Sequence, residues 1–369
     1  MLSLYSLARV RVQQGRLHAA HDYLSRALST GRDGRGRPLP IVARALTSLA
    51  DINREWNNLS EASRLVQDGL ELTKEALAFW SIGGYVILSQ IRQAEGDMAA
   101  AQAAMDAACE LAVRFDVTDL DDRTVALYQA RLWLAQGNIE ETGRWAARLL
   151  EDDRGMARPP QQPGQMAGWY VVHELEQLHV ARLNLAQGQP EAARDLLQQL
   201  RPAAENHRRT GSVIALDLLL AQTWLASGDE TRALDTLEPA LALAEPEGYM
   251  RLFLDEGPAM ARLLQLIPPD SPVAGYAGRL LAAFTPGPFQ ADRLTTQPAA
   301  GRRALPDPLS QREMDVLRLL PTHLTSTEIA AELSISPNTA RFHIKNIYSK
   351  LAVHTRAEAV AQARQLDLI

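Results

Sequence analysis

Ala130-Arg-Leu-Trp-Leu-Ala-Gln-Gly137 returns as Ala181-Arg-Leu-Asn-Leu-Ala-Gln-Gly188 and as Ala221-Gln-Thr-Trp-Leu-Ala-Ser-Gly228, with looser copies at Ala8 to Gly15 and Ser89 to Gly96. Each copy reads as the end of a helix that stops at glycine, the residue that takes a left-handed C-cap without steric cost. Counting from that glycine, a small residue follows at +5: Ala20, Ala101, Thr142, Ala193 and Ala233. Further packing residues follow at +8, +9 and +12, such as Tyr23, Leu24 and Ala27, or Leu196, Leu197 and Leu200. A sixth copy has Asn57 in place of glycine, followed by Ala62, Leu65, Val66 and Gly69. These offsets put one apolar stripe on a second helix, with a small residue where it approaches the first closely, so the unit is a helical hairpin.

The turn positions 15, 57, 96, 137, 188 and 228 are separated by 42, 39, 41, 51 and 40 residues. The long interval contains Glu151 to Gly168, rich in proline and glycine, and predicts an exposed irregular loop. Because the first hairpin begins almost at Met1 with no polar capping helix before it, an exposed apolar end is expected, and the chain reads as the C-terminal part of something longer. Glycine, small at +5, large at +9 and small at +12 resembles the tetratricopeptide repeat over roughly residues 1–244. That family's unit is about 34 residues, so the expectation is a related superhelix with longer helices. Such stacks offer a concave surface to a ligand or partner.

Composition agrees with an all-α chain. Hydrophobic residues make up 46% of 369 and aromatics only 5%, and no alternating β-branched run occurs. Cys109 is the only cysteine, which excludes an internal disulfide and favours the cytoplasm. Arg9 and Arg11 interrupt the N-terminal apolar stretch, and no run nears the roughly 18 apolar residues of a membrane span, so no membrane partner is expected. The net charge of −6 argues against coating nucleic acid along the whole surface. The segment from Leu309 to Ile369 nevertheless carries seven Lys or Arg against six Asp or Glu. From Leu333 to Ala357 it has no acid, but Arg341, Lys345, Lys350 and Arg356, a local basic face.

The pattern of packed helices runs to Phe284, and the prolines and glycines of 285–308 have the composition of a flexible linker. The expected organisation is therefore a helical-repeat sensor or interaction domain over 1–284, the linker, and a separate domain over 309–369. In that tail, Ser310 with Glu313, Thr325 with Glu328 and Thr355 with Glu358 read as capping boxes, and Ser336-Pro337 as a fourth helix start. The predicted helices are about 311–320, 326–333, one after Ser336, and 355–365. Only Ser334 and Ile335 separate the second from the third, which forces a steep crossing and makes a helix-turn-helix.

On the third helix, Ala340, Ile344, Ile347 and Leu351 fall on one side at about 100° per residue and form the buried stripe. Asn338, Phe342, Lys345, Asn346 and Ser349 take the opposite side, with Arg341 on its flank. A helix so built enters the major groove. Arg341 suits guanine, Asn338 adenine and Phe342 a thymine methyl, and Lys345 reaches a base or a phosphate. Thr327, Ser336, Thr339 and Lys350 suit backbone contacts.

Leu309-Ser-Gln-Arg-Glu313, Glu328-Ile-Ala330, Ile335-Ser336, Thr339-Ala-Arg-Phe-His343, Asn346-Ile347, Lys350-Leu351 and Arg356-Ala-Glu-Ala359 resemble the LuxR-type, or NarL-type, DNA-binding domain. The resemblance implies that Arg341, Phe342 and Lys345 face DNA and that the fourth helix pairs two domains. Repeats followed by this domain, together with the Tyr249 to Glu256 stretch, resemble the C-terminal portion of the large MalT-like regulators, which carry an ATP-binding module upstream. No Gly-x-x-x-x-Gly-Lys-Ser/Thr loop occurs in this chain, so no cofactor is expected.

An enzyme is not indicated. His173-Glu174 lacks the second histidine of a zinc-protease helix, because Gln177 stands there. His18 and His21 share a helical face but read as solvated histidines rather than metal ligands. The expected function is a signal-responsive transcription regulator that binds double-stranded DNA as a dimer. An unidentified inducer or protein would bind its superhelix, and RNA polymerase is a further candidate partner. The alternative is a helical-repeat interaction scaffold whose tail docks protein.

Overall fold

The computed structural model describes residues 2–32, 36, 38–39, 41–73, 78–115, 117–155, 163–284, 311–321 and shorter stretches up to 365. Two units emerge, Met1–Ala291 and Asp292–Ile369. The linker expected over 285–308 lies outside the described residues. Among the described residues there is no strand, only an isolated bridge between Arg32 and Pro38.

The first unit is a series of helical hairpins: α1 Leu2–Gln13, α2 Leu17–Ser29, α3 Ile41–Glu55, α4 Leu59–Thr73, α5 Ser81–Ala94, α6 Met98–Phe115, α7 Asp119–Ala135, α8 Ile139–Gly155, α9 Pro163–Ala186, α10 Pro190–Asn206, α11 Thr210–Ala226 and α12 Glu230–Ala244. One device makes every hairpin turn. Gly15, Gly96, Gly137, Gly188 and Gly228 have φ between +73° and +85°, and Asn57 stands at +62°. At each, the next residue's N–H reaches back five residues, as Asn138 does to Trp133 O at 2.8 Å, closing a Schellman cap.

The small residue at +5 is sealed in all six hairpins: Ala20, Ala62, Ala101, Ala193 and Ala233 are fully buried and Thr142 is 1% exposed. Leu24, Val66, Met105, Ala146, Leu197 and Leu237 at +9 are buried as well. A larger side chain at +5 would overpack the hairpin at a cost of about 1–3 kcal/mol.

The structure corrects two expectations. The loop expected over Glu151 to Gly168 is helical at both ends, since α8 runs to Gly155 and α9 begins at Pro163; residues 156–162 lie outside the described residues. Proline at a first helical turn loses no hydrogen bond, so Pro163 starts a helix rather than preventing one. Nor is the first hairpin bare. Helices α3, α5, α7, α9 and α11 touch in succession, α11 also touches α1, and Ala8 and Leu17 share a core with Ile214 and Leu218. A side chain on Gly15 would put its Cβ 2.8 Å from Gly211 N. Leu7 and Val10 remain about half exposed on α1.

After α12 the chain doubles back over the inner helices. Gly248, at φ +71°, turns it against Trp56. Three short helices follow, α13 Arg251–Leu254, α14 Pro258–Gln265 and α15 Ala274–Ala283. We term residues 245–257 the strap. Its Met250 N–H donates to Glu55 O at 3.0 Å, its Leu252 N–H donates to Glu55 Oε1 at 2.8 Å, and Trp56 Nε1 donates to Glu247 O at 2.9 Å.

Two adjacent strap carboxylates gather side chains from four inner helices. Asp255 accepts from Arg54 of α3 at 3.1 Å, Arg131 of α7 at 2.8 Å and its own neighbour Arg251 at 2.8 Å. Glu256 accepts from Arg182 of α9 at 2.6 Å and Gln222 of α11 at 3.2 Å. Burial alone would push the Asp255 carboxyl up, but Arg251, Arg131 and Arg54 together hold it below the usual carboxylate range.

Candidate nucleic-acid interface

The tail is organised by a small core of Val316, Leu317, Leu320, Ile329, Ile347, Leu351, Ala359 and Ala363, each at most 3% exposed. Its first helix is Gln311–Leu319 and its last Arg356–Gln365, within a residue of the ranges expected from the capping pattern. The middle capping box forms reciprocally: Thr325 N–H donates to Glu328 Oε2 at 2.7 Å, and Glu328 N–H donates to Thr325 Oγ1 at 3.3 Å. These bonds hold the exposed Glu328 carboxyl below its ordinary range. Ser310 and Thr355, the hydroxyl members of the other two boxes, lie outside the described residues.

The stripe that orients the third helix is seen in three of its four members. Ile347 and Leu351 are buried, and Ile344 packs on the same core; Ala340 lies outside the described residues. Of the ten residues read as touching DNA, Thr327, Ser336, Asn338, Thr339, Arg341, Phe342, Lys345, Asn346 and Ser349 likewise lie outside the described residues. Lys350 is described. Its ammonium donates to Glu313 Oε2 at 3.0 Å, and the Glu313 side chain is 4% exposed.

Arg356 is also turned inward. Its guanidinium donates to the carbonyls of Leu319 at 3.3 Å, Leu320 at 2.8 Å and Leu324 at 2.6 Å. The first two are acceptors at the end of the first tail helix, where the helix dipole favours a cation and the last carbonyls lack intrahelical donors. So of the four cations counted between Leu333 and Ala357, two hold the bundle together: Lys350 ties the third helix to the first, and Arg356 ties the fourth to the first. Sequence counting alone treated them as one basic face. The buried partner, Glu313, was legible only as a capping-box member.

Elsewhere the suspected metal and protease residues have ordinary roles. The rings of His18 and His21 lie 5.0 and 5.3 Å from Trp56, and His173 stacks on Trp169. Glu174 pairs with Arg209. Among the described residues no group of three His, Cys, Asp or Glu side chains is placed to hold a metal ion, and no helix is long and apolar enough to cross a membrane.

Comparison with known proteins matches both units. Residues 1–267 match the family model described as the MalT-like TPR region, and residues 307–363 match that of the bacterial regulatory proteins, luxR family. The chain is 28% identical over 383 aligned residues to the HTH-type transcriptional regulator MalT of Serratia proteamaculans (strain 568), which takes in 99% of this chain and 40% of that protein. The MalT proteins of Yersinia pestis (strain Pestoides F) and Yersinia pseudotuberculosis serotype O:1b (strain IP 31758) are each 26% identical with the same coverage. The chain thus spans about 40% of the length of these relatives.

Proposed function

We propose that this chain, which belongs to the family of the MalT-like TPR region, is a transcription regulator that binds double-stranded DNA through residues 307–363. The observation that carries the reading is the luxR-family match over a bundle whose third helix buries Ile347 and Leu351 and packs Ile344 against the same core. With that stripe inward, helical periodicity assigns Phe342, Lys345, Asn346 and Ser349 to the outer side of the same helix. Arg341, Asn338 and Phe342 are the proposed base readers and Lys345 a base or phosphate contact. Ser336, Thr339, Thr327 and Lys350 are proposed for the backbone.

Binding as a dimer through the last helix, response to a signal received by the superhelix, action in the cytoplasm and the absence of a cofactor site belong to the same reading. Gel-shift titration with duplex DNA over a range of salt tests it: phosphate contacts require a steep fall in affinity with ionic strength. A dimer leaves a footprint of two half-sites about one helical turn apart. A salt-independent response contradicts the DNA reading, and a single isolated half-site contradicts the dimer.

A further inference from the structure

A cavity of about 380 Å³ opens between α1, α3, α5 and α7. This is within the range of small-molecule sites, roughly 300–1,000 Å³. Tyr5, Phe79, Trp80 and Val125 give it apolar and aromatic walls, and Asp51 and Tyr128 also line it.

Three charged side chains line this cavity: Arg44, Asp51 and Asp121. Asp51 is bonded to Arg54 Nε at 3.3 Å, and Asp121 accepts from the Thr118 hydroxyl at 2.8 Å. Arg44 has no carboxylate partner among the described residues. Its guanidinium carbon lies 5.5 Å from the Tyr5 ring and 5.7 Å from the Trp80 ring. A cation already covers those aromatic faces, so an organic cation would meet repulsion where it needs the rings. A carboxylate meets an exposed guanidinium fork, and a planar body meets what is left of the aromatic wall.

Resting on the reading that the superhelix receives a signal, we propose that this cavity is an effector site for a small aryl carboxylate, its acid group on Arg44 and its ring against Trp80 and Phe79. Two ion pairs in series link the cavity to the strap: Asp51 binds Arg54, whose Nη1 binds Asp255 at 3.1 Å. Tyr128 stands within electrostatic reach of Asp51, Arg54 and Arg131. Occupancy that moves Asp51 therefore acts on the side chains that hold Asp255.

Indole-3-acetate is a suitable probe and indole-3-acetamide its neutral control. Titrated calorimetrically into the full chain, the acid is expected to bind about ten-fold more tightly than the amide. Arg44→Gln, at an exposed position, is expected to erase that difference without changing the thermal melt, and Arg44→Glu to shift preference to tryptamine. Hydrogen exchange across 249–256 is expected to change when indole-3-acetate is added. No binding, or equal binding of acid and amide, overturns the site while leaving the DNA reading untouched, since that is tested with duplex alone. Binding without a change in exchange over 249–256 overturns the link to the strap.

Discussion

Arg131 and Asp255 are 124 residues apart in sequence and 2.8 Å apart in the structure, the guanidinium of an inner helix closing on a carboxylate of the strap. Around this contact the superhelix stops being a stack in which each hairpin meets only its neighbours. Arg54, Arg131 and Arg182 come from three different hairpins, and two consecutive acids hold them all.

Asp255→Ala takes from Arg131 its carboxylate partner and from Arg54 one of three, Asp51 and Glu55 remaining, in a site where the Asp255 side chain is 10% exposed. Breaking a buried pair from one side costs about 3–5 kcal/mol. Urea unfolding of the full chain is expected to show a loss of that order, with hydrogen exchange in 249–256 rising first. A loss below about 1 kcal/mol would show that the Asp255 ion pairs do not hold the strap.

Glu55 gives the strap a pH dependence. Burial pushes its carboxyl up from 4.5 to about 7, against the opposing pull of Arg54 and the Leu252 N–H. Between those values the folded chain holds a proton that the unfolded chain has released. The associated stability is fully present below about pH 4.5 and is lost as pH rises through about 7. The slope is at most about 1.4 kcal/mol per pH unit. Unfolding midpoints from pH 5 to pH 8 should fall more steeply for the wild type than for Glu55→Gln; parallel curves would refute the assignment.

Arg208 makes the connection between α10 and α11 at φ +53°, with the same back-bond, Arg209 N–H to Ala204 O at 2.9 Å, that glycine supports elsewhere. Arg208→Gly is expected to stabilise the chain by about 0.5–1 kcal/mol, relief of left-handed strain exceeding the added freedom of the unfolded state. Gly15→Ala is expected to destabilise it by about 1–3 kcal/mol, because the new Cβ meets Gly211. Thermal melts of the two variants should move in opposite directions.

In the tail, Lys350 and Glu313 form a double-mutant cycle. Glu313→Leu alone leaves a half-buried ammonium and Lys350→Met alone a buried carboxylate, each expected to cost about 3 kcal/mol, while the double variant recovers most of the loss. Hydrogen exchange over 311–365 reads the effect. Simple additivity would mean the pair contributes nothing.

The repeat was legible because it depends on local geometry. Glycine marks the left-handed turn, alanine marks the close approach at +5, and both survive in single copies. The turn at Arg208 escaped because no glycine announces it. The strap escaped because its contacts are long-range, although a trace was present: a polar residue stands six positions before every turn, Arg9, Asp51, Gln90, Arg131, Arg182 and Gln222. Arg131, Arg182 and Gln222 meet the strap directly, Gln90 bonds Arg131 and Asp51 bonds Arg54. Counting charge in the tail likewise missed that Lys350 and Arg356 look inward, since their partners, Glu313 and three carbonyls, sit more than thirty residues away in sequence.

The most direct test of the central claim is equilibrium titration of the full chain with the duplex it selects from a random-sequence pool, compared with a scrambled duplex and with Arg341→Ala. A sequence-reading tail predicts preference for the selected duplex, affinity that falls steeply with salt, and a loss of about 1–3 kcal/mol on Arg341→Ala that is confined to the selected duplex. Equal affinity for both duplexes, unchanged by salt and by Arg341→Ala, would contradict it.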